Sequence, residues 1–320
     1  MLRTDTGHIT PEQLAARIPT HMSLLEETFH SRVVVEMLGI PKVVPDATTK
    51  VLVRTTKGDR VAVIICSRPV APELVARGTA AAESIRELLG KRLGAPIIAP
   101  IASGCAGALS FVILPYCREL SSWKIARVVQ RMKLKRELLP WLRKATTVAA
   151  ERIVSPEDES LSFTAMLEYI RSQQFTDAHI RDIINEALGR ISSREWQPCH
   201  TFDHNDLWLG NVMLPVKSRW LPRSDSPFVL IDWGGANPNG YGIYDLMRLS
   251  LALKLKSAEL RTELVEHSRA LNCQLHDSRV HLLASFARLH QHLEFWPEAE
   301  FVKAFHKCWN TLNRALGVAE

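Results

Sequence analysis

The chain has 320 residues, 46% hydrophobic and 23% charged, with 40 basic and 34 acidic side chains and a formal net charge of +6. That composition excludes a disordered chain, and the length accommodates two lobes, each with its own buried core. No segment approaches the roughly 20 apolar residues of a bilayer-spanning helix, and the N-terminus lacks the apolar centre of a secretory signal, so the cytoplasm is the expected location.

Thr10, followed by Pro11 and Glu12, predicts a capped helix start, and that helix is expected to end near Pro19. From residue 33 to 66 the texture turns β-branched. The runs "VVVEML", "KVLVRT" and "RVAVIIC" predict three strands, the last two joined by a hairpin turn at "TKGD". Next comes "PELVARGTAAAESIRELLGKRLGAP", where Leu74, Ile85, Leu88, Leu89 and Leu93 keep helical spacing until Gly94 and Pro96 stop the pattern. Two further strands are expected at "PIIAPIAS" and "ALSFVILPYC".

The chain therefore divides into 1–116, a β-rich first domain, and 117–320, mainly helical apart from a short strand pair around 211–231. Pro115, Tyr116 and Cys117 form the expected connector, with a ligand cleft beneath it. Six scattered cysteines without a C-x-x-C pair suggest neither a disulfide framework nor a zinc knuckle.

Charge is unevenly spread. Between Arg118 and Lys144 nine basic residues face only Glu119 and Glu137, whereas 151–200 holds nine acidic and five basic ones. The basic stretch fits an anionic ligand, peripheral contact with a membrane surface through 118–144, or a plain solvated helix face. Nucleic acid is not an expected partner, because the run lacks interleaved aromatics and no reader motif accompanies it.

The stretch that carries chemistry is "CHTFDHNDLWLGNVML", 199–214, in which His204, Asp206 and Asn211 stand among apolar residues. Downstream, "FVLIDWGGA" is an apolar strand ending in Asp232, Trp233 and Gly234, and "GYGIYDLMRLSLAL" starts a helix with Asp245 near its beginning. Behind a β-rich lobe, these three motifs in this order resemble the aminoglycoside phosphotransferase and choline kinase superfamily, over roughly residues 33–255.

The resemblance implies an α+β, protein kinase-like fold of two lobes: a small β-rich N-terminal lobe with one main helix and a larger, mostly helical C-terminal lobe. It also implies a magnesium-assisted transfer of the terminal phosphate of ATP or GTP to a hydroxyl of a small molecule or glycan. Asp206 would orient the acceptor hydroxyl and take its proton late, with His204 bracing the loop and Asp245 securing it or capping its helix. Asn211 and Asp232 are oxygen donors suited to magnesium. Thr48 and Thr49 in "PDATTK" would cover the nucleotide, with Ala62, Glu83, Pro115 and Cys117 as its other expected contacts.

The chain departs from the family at one position. Kinases carry a lysine on the third strand, paired with a glutamate on the following helix. Glu83 is the glutamate candidate, but Ile64 stands where the lysine is expected after Val61, Ala62 and Val63. Lys50 or Arg54 of the neighbouring strand, or Arg68, are the candidate replacements. Otherwise the phosphate grip is lost, and the protein is a pseudokinase or nucleotide-binding regulatory module with weak or no transfer. Trp208 is a candidate substrate platform or a buried ring, and Arg248 a candidate contact for an anionic group or a surface residue. Gly242 follows Asp232 by only ten positions, too few for the activation segment of protein kinases, so a protein substrate is not favoured.

Overall fold

The computed structural model describes residues 9–39, 48–152, 156–216, 220, 226–293 and 296–318, with backbone alone for 152 and 156–161. Met1–Arg86, Ala95–Leu120 and Val212–Gly234 form one compact unit; Glu87–Gly94, Ser121–Asn211 and Gly235–Glu320 form the other.

In the first unit Thr10 caps α1 (Pro11–Arg17): its Oγ1 accepts the Gln13 N–H at 3.2 Å, and the Gln13 side-chain oxygen accepts the Thr10 N–H at 3.0 Å. A second helix, α2 (Pro19–Phe29), follows where the sequence predicted only a stop. Pro19 occupies its first turn, where a missing N–H costs nothing and the fixed φ suits the helix. The chain continues through β1 (Val33–Met37), β2 (Thr49–Thr55), β3 (Arg60–Cys66), α3 (Leu74–Leu93), β4 (Ala102–Ala106) and β5 (Leu109–Pro115). The five strands make one antiparallel sheet in the order β1-β2-β3-β5-β4. β4 starts later than the expected 96–103, because Pro96 and Pro100 lack the N–H a ladder needs; Ile97 instead makes a parallel bridge to Leu230.

Register decides what each face of this sheet does. Lys50 lies opposite Ile65, and Val51 opposite Ile64. Side chains alternate, so Val51, Val53, Ala62, Ile64, Phe111 and Ile113 share one face, buried in a core with Leu14, Leu25 and Phe29 of α1 and α2. His21 of α2 stands edge-on to Phe111 at 5.0 Å. Lys50, Leu52, Val63, Ile65 and Val112 share the opposite face. At the end of that face Ser67 and Ser110 receive α3: their Oγ atoms accept the N–H groups of Val75 at 3.0 Å and Ala76 at 3.2 Å.

After β6 (Cys117–Arg118) the second unit takes over with α4 (Lys124–Arg152), α5 (Pro156–Arg171), α6 (Ala178–Ser192) and β7 (Thr201–Asp203). The expected strand pair is β8 (Val212–Pro215) with β9 (Val229–Leu230), joined by β6 into a small sheet that belongs to the first unit. β10 (Asn237–Gly240) then pairs with β7, and α7 (Ile243–Leu253), α8 (Ser257–Ala270), α9 (Ser278–Gln291) and α10 (Glu298–Leu316) complete the second unit.

Helix α7 is buried along most of its length, with Ile243, Leu246, Leu249 and Leu253 among its covered residues. Phe163 of α5 gathers Trp196, Tyr241 and His281 edge-on, at centroid distances of 5.6, 5.3 and 5.1 Å.

Burial holds His200, His267 and His281 down to about 4 from the ordinary 6.5. Each is neutral in the folded chain, whereas the unfolded chain binds a proton below 6.5. Their stabilisation is therefore complete above pH 6.5 and is lost as pH falls towards about 4. Across that interval the melting temperature of the wild type should lose more, or gain less, than that of His281→Leu as pH falls; parallel curves for the two proteins would contradict this.

Candidate active site

The second unit carries a catalytic-loop candidate held from two sides. Asp203, at the end of β7, accepts the N–H groups of Tyr241 at 2.8 Å and Gly242 at 2.6 Å. In the opposite direction Asp245, in the first turn of α7, accepts the N–H groups of His204 at 2.5 Å and Asn205 at 3.0 Å. Both carboxylates are buried, and burial raises both above the usual carboxylate range; repulsion from Asp203 lifts Asp245 further. Asn205 adopts the left-handed conformation at φ 65 and donates from its side chain to the Gly235 carbonyl at 2.8 Å. His204 is buried, and its Nδ1 accepts the Asp206 N–H at 3.4 Å.

This turn delivers Asp206 with its carboxylate 47% exposed, and three donors fix it. Arg248 of α7 donates from Nη2 to Oδ1 at 2.5 Å. Asn211 Nδ2 and Trp208 Nε1 donate to Oδ2 at 2.8 and 3.2 Å. Two donors fill the two lone pairs of Oδ2, so one lone pair on Oδ1 remains for an incoming hydroxyl. Asn211 also donates to the Asp206 carbonyl at 2.9 Å, which commits its amino group and leaves its Oδ1 as the available atom. The Trp208 ring is partly exposed and lies across Gly210, where a Cβ would run into it.

Asp232 lies in the first unit. Its backbone is left-handed at φ 66, its side chain is exposed, and among the described residues it accepts no hydrogen bond. The turn it begins packs on α3: a Cβ at Gly78 would come within 3.0 Å of the Gly234 backbone, so glycine is what permits this approach.

The remaining expected nucleotide contacts also lie in the first unit. Lys50 is half-buried and, among the described residues, forms no ion pair; neither does Glu83 of α3. Arg54 is committed to Glu36, Nη2 to Oε1 at 2.7 Å. Thr49 is buried on the Val51 face, Thr48 precedes it half-buried, and residues 45–47 of the same turn lie outside the described residues. Pro115 pairs with Ala62 at the end of β5, and Cys117 pairs with Pro215, its thiol pushed up to about 11 by burial.

Two expectations need correction. Ala62 and Ile64 point into the core with α1 and α2, on the face opposite Lys50. Lys50 pairs with Ile65 and Leu52 with Val63, so the apolar β3 positions that share a face with Lys50 are Val63 and Ile65.

No family profile matches the sequence, and no curated protein matches it. Solved structures do: the aminoglycoside phosphotransferase APH(4)-Ia is similar with a TM-score of 0.53 at 13% identity, over 94% of this chain and 99% of that one. The chain has the kinase-like fold. Choline kinase LicA from Streptococcus pneumoniae aligns with a TM-score of 0.48 at 16% identity, covering 92% of this chain and 99% of its own. A putative fructosamine-3-kinase from Haemophilus somnus aligns with a TM-score of 0.48 at 11% identity, covering 92% and 96%. At 13% identity the likeness to APH(4)-Ia shows the fold alone.

Several of those residues were not singled out from the sequence. Asp203 was missed, although an acid inside an otherwise buried strand signals a bound backbone. The bond from Trp208 to Asp206, Gly210 under the indole and Gly78 against the Asp232 turn had no local signal. Among the described residues no three of His, Cys, Asp and Glu cluster as metal ligands. Asn211 and Asp232 each offer uncommitted oxygen, the donor type that magnesium takes and zinc or copper does not favour.

Proposed function

We propose that this protein is a small-molecule kinase, moving the terminal phosphoryl group of ATP or GTP to a hydroxyl of a small molecule or glycan. The carrying observation is Asp206, an exposed carboxylate held by Arg248, Asn211 and Trp208 with one lone pair left open. A carboxylate fixed in this way orients a hydroxyl and accepts its proton late, which is what a loose phosphoryl-transfer transition state requires. The partly exposed Trp208 ring beside it is a flat surface on which an acceptor ring can lie.

Asn211 and Asp232 are the proposed magnesium ligands; when bound, the metal neutralises charge on the nucleotide phosphates. Lys50 is the proposed phosphate-gripping cation. It shares its sheet face with Val63 and Ile65, and its rival Arg54 is already paired with Glu36. Those two apolar positions also favour a second reading, a nucleotide-binding regulatory module with weak or no transfer. Among the described residues no helix is long and apolar enough to cross a membrane.

Thermal melting with ATP or GTP, with and without magnesium, tests the reading. A nucleotide at about 100 times its dissociation constant adds about 2.7 kcal/mol, a rise of several degrees, which should need magnesium and shrink in Lys50→Met. A shift without turnover on any hydroxyl acceptor would favour the regulatory module, and no shift with either nucleotide would contradict both readings.

A further inference from the structure

We propose that the first turns of α4 form a docking face for a membrane surface rich in anionic lipid. Ile125, Val128, Val129 and Met132 follow one another at intervals of three, one and three residues, a single stripe along the helix, and Trp123 stands just before it. All five are exposed, from 44% for Val128 to 66% for Trp123. The stripe does not belong to the core side of the helix, because Leu134 and Leu138, about half a turn around, are buried. Helix α4 is thus apolar on two sides, and one of them is uncovered.

The flanks name the occupant. Lys124 and Arg131 lie along one edge of the stripe, Lys133 along the other, and Arg136 one turn beyond Met132. Among the described residues none of these four is ion-paired, and no acidic residue occurs from 121 to 136. An apolar stripe between unpaired cations, with a tryptophan at one end, matches the boundary between acyl chains and anionic headgroups. A second copy of the chain fits poorly, because a two-fold contact through this face would bring the same cations against each other.

Flotation of the full chain with vesicles tests the proposal, using phosphatidylcholine alone and phosphatidylcholine mixed with phosphatidylglycerol. The chain should float with the mixed vesicles only, and less as salt rises. Lys124→Gln and Lys133→Gln should each weaken binding about fivefold, the equivalent of about 1 kcal/mol. The double substitution Ile125→Asp with Val129→Asp should abolish it. All these positions are exposed, and an unchanged melting temperature would show that each variant is folded. Equal recovery with both vesicle types, recovery with neither, or full binding by the double variant would overturn the proposal. So would self-association of the wild type that the double variant loses, since a second copy would then be the occupant.

Discussion

Asp206→Asn is expected to lower the transfer rate by about 10²–10⁴-fold while leaving nucleotide affinity within about twofold. The expectation rests on proton and lone-pair accounting. Asp206 receives Arg248 on Oδ1, and Asn211 and Trp208 on Oδ2. An amide has one oxygen and one amino group, and in either orientation its N–H bonds meet a donor. With the amino group towards Arg248 the remaining acceptor position for a substrate hydroxyl is gone. With it towards Asn211 and Trp208 the loop loses two contacts, and the oxygen that remains is uncharged and far less basic. Both orientations therefore fail at the acceptor; of the residues proposed to hold nucleotide and metal only Asn211 is touched, and there through its amino group, not through the Oδ1 proposed for magnesium. Rates under single-turnover conditions together with a nucleotide-binding isotherm decide the matter. Transfer at the wild-type rate would remove Asp206 from the chemistry, and lost nucleotide binding would make its role structural.

The second large effect is expected from Asp245→Asn, which touches nothing that reacts. Asp245 accepts two backbone N–H groups, those of His204 and Asn205, at 2.5 and 3.0 Å. An asparagine accepts one and turns its amino group on the other, leaving a buried donor unsatisfied. A loss of about 2–3 kcal/mol follows, after partial relief of the repulsion from Asp203, and the melting temperature should drop by about 3–5 °C. Transfer should fall as well, because Asp206 is the next residue in the turn.

The pH dependence separates this cause from a general packing defect. Burial and Asp203 raise Asp245 above the ordinary 3.8, so folding favours its protonated form. Its stabilising contribution in the wild type is full below pH 3.8 and is lost as pH rises through the raised folded value. The variant has no such proton to lose. Its deficit relative to wild type should therefore be greatest in acid and shrink as pH rises, whereas a packing defect gives a constant deficit. The buried histidines are common to both proteins and cancel in the difference.

The polar motif was legible because its members stand close together in apolar surroundings: Asp206 and Asn211 are five residues apart and bond directly. Their supports were hidden by sequence distance, since Asp203 reaches Tyr241 and Gly242 across 38 and 39 residues and Arg248 reaches Asp206 across 42. The five strands and the helix between β3 and β4 could be read from composition and spacing, but the faces of β3 could not. "RVAVIIC" is apolar at nearly every position, so it carries no period of two, and only the pairing with β2 and β5 shows that Ile64 points to the core and Ile65 does not. Helix α2 was hidden by Pro19, a residue that ends one helix and begins the next equally well.

The crossed carboxylates have a dynamic consequence. The amides of His204, Asn205, Tyr241 and Gly242 are all bonded to buried acids, those of each segment to the acid of the other. Neither segment can open to solvent without releasing the other, so their amide hydrogens should exchange together, at a rate set by unfolding of the surrounding helices rather than by local fraying. The residues that precede the reacting carboxylate thus behave as part of the core, and whatever movement accompanies turnover must be supplied by other parts of the chain.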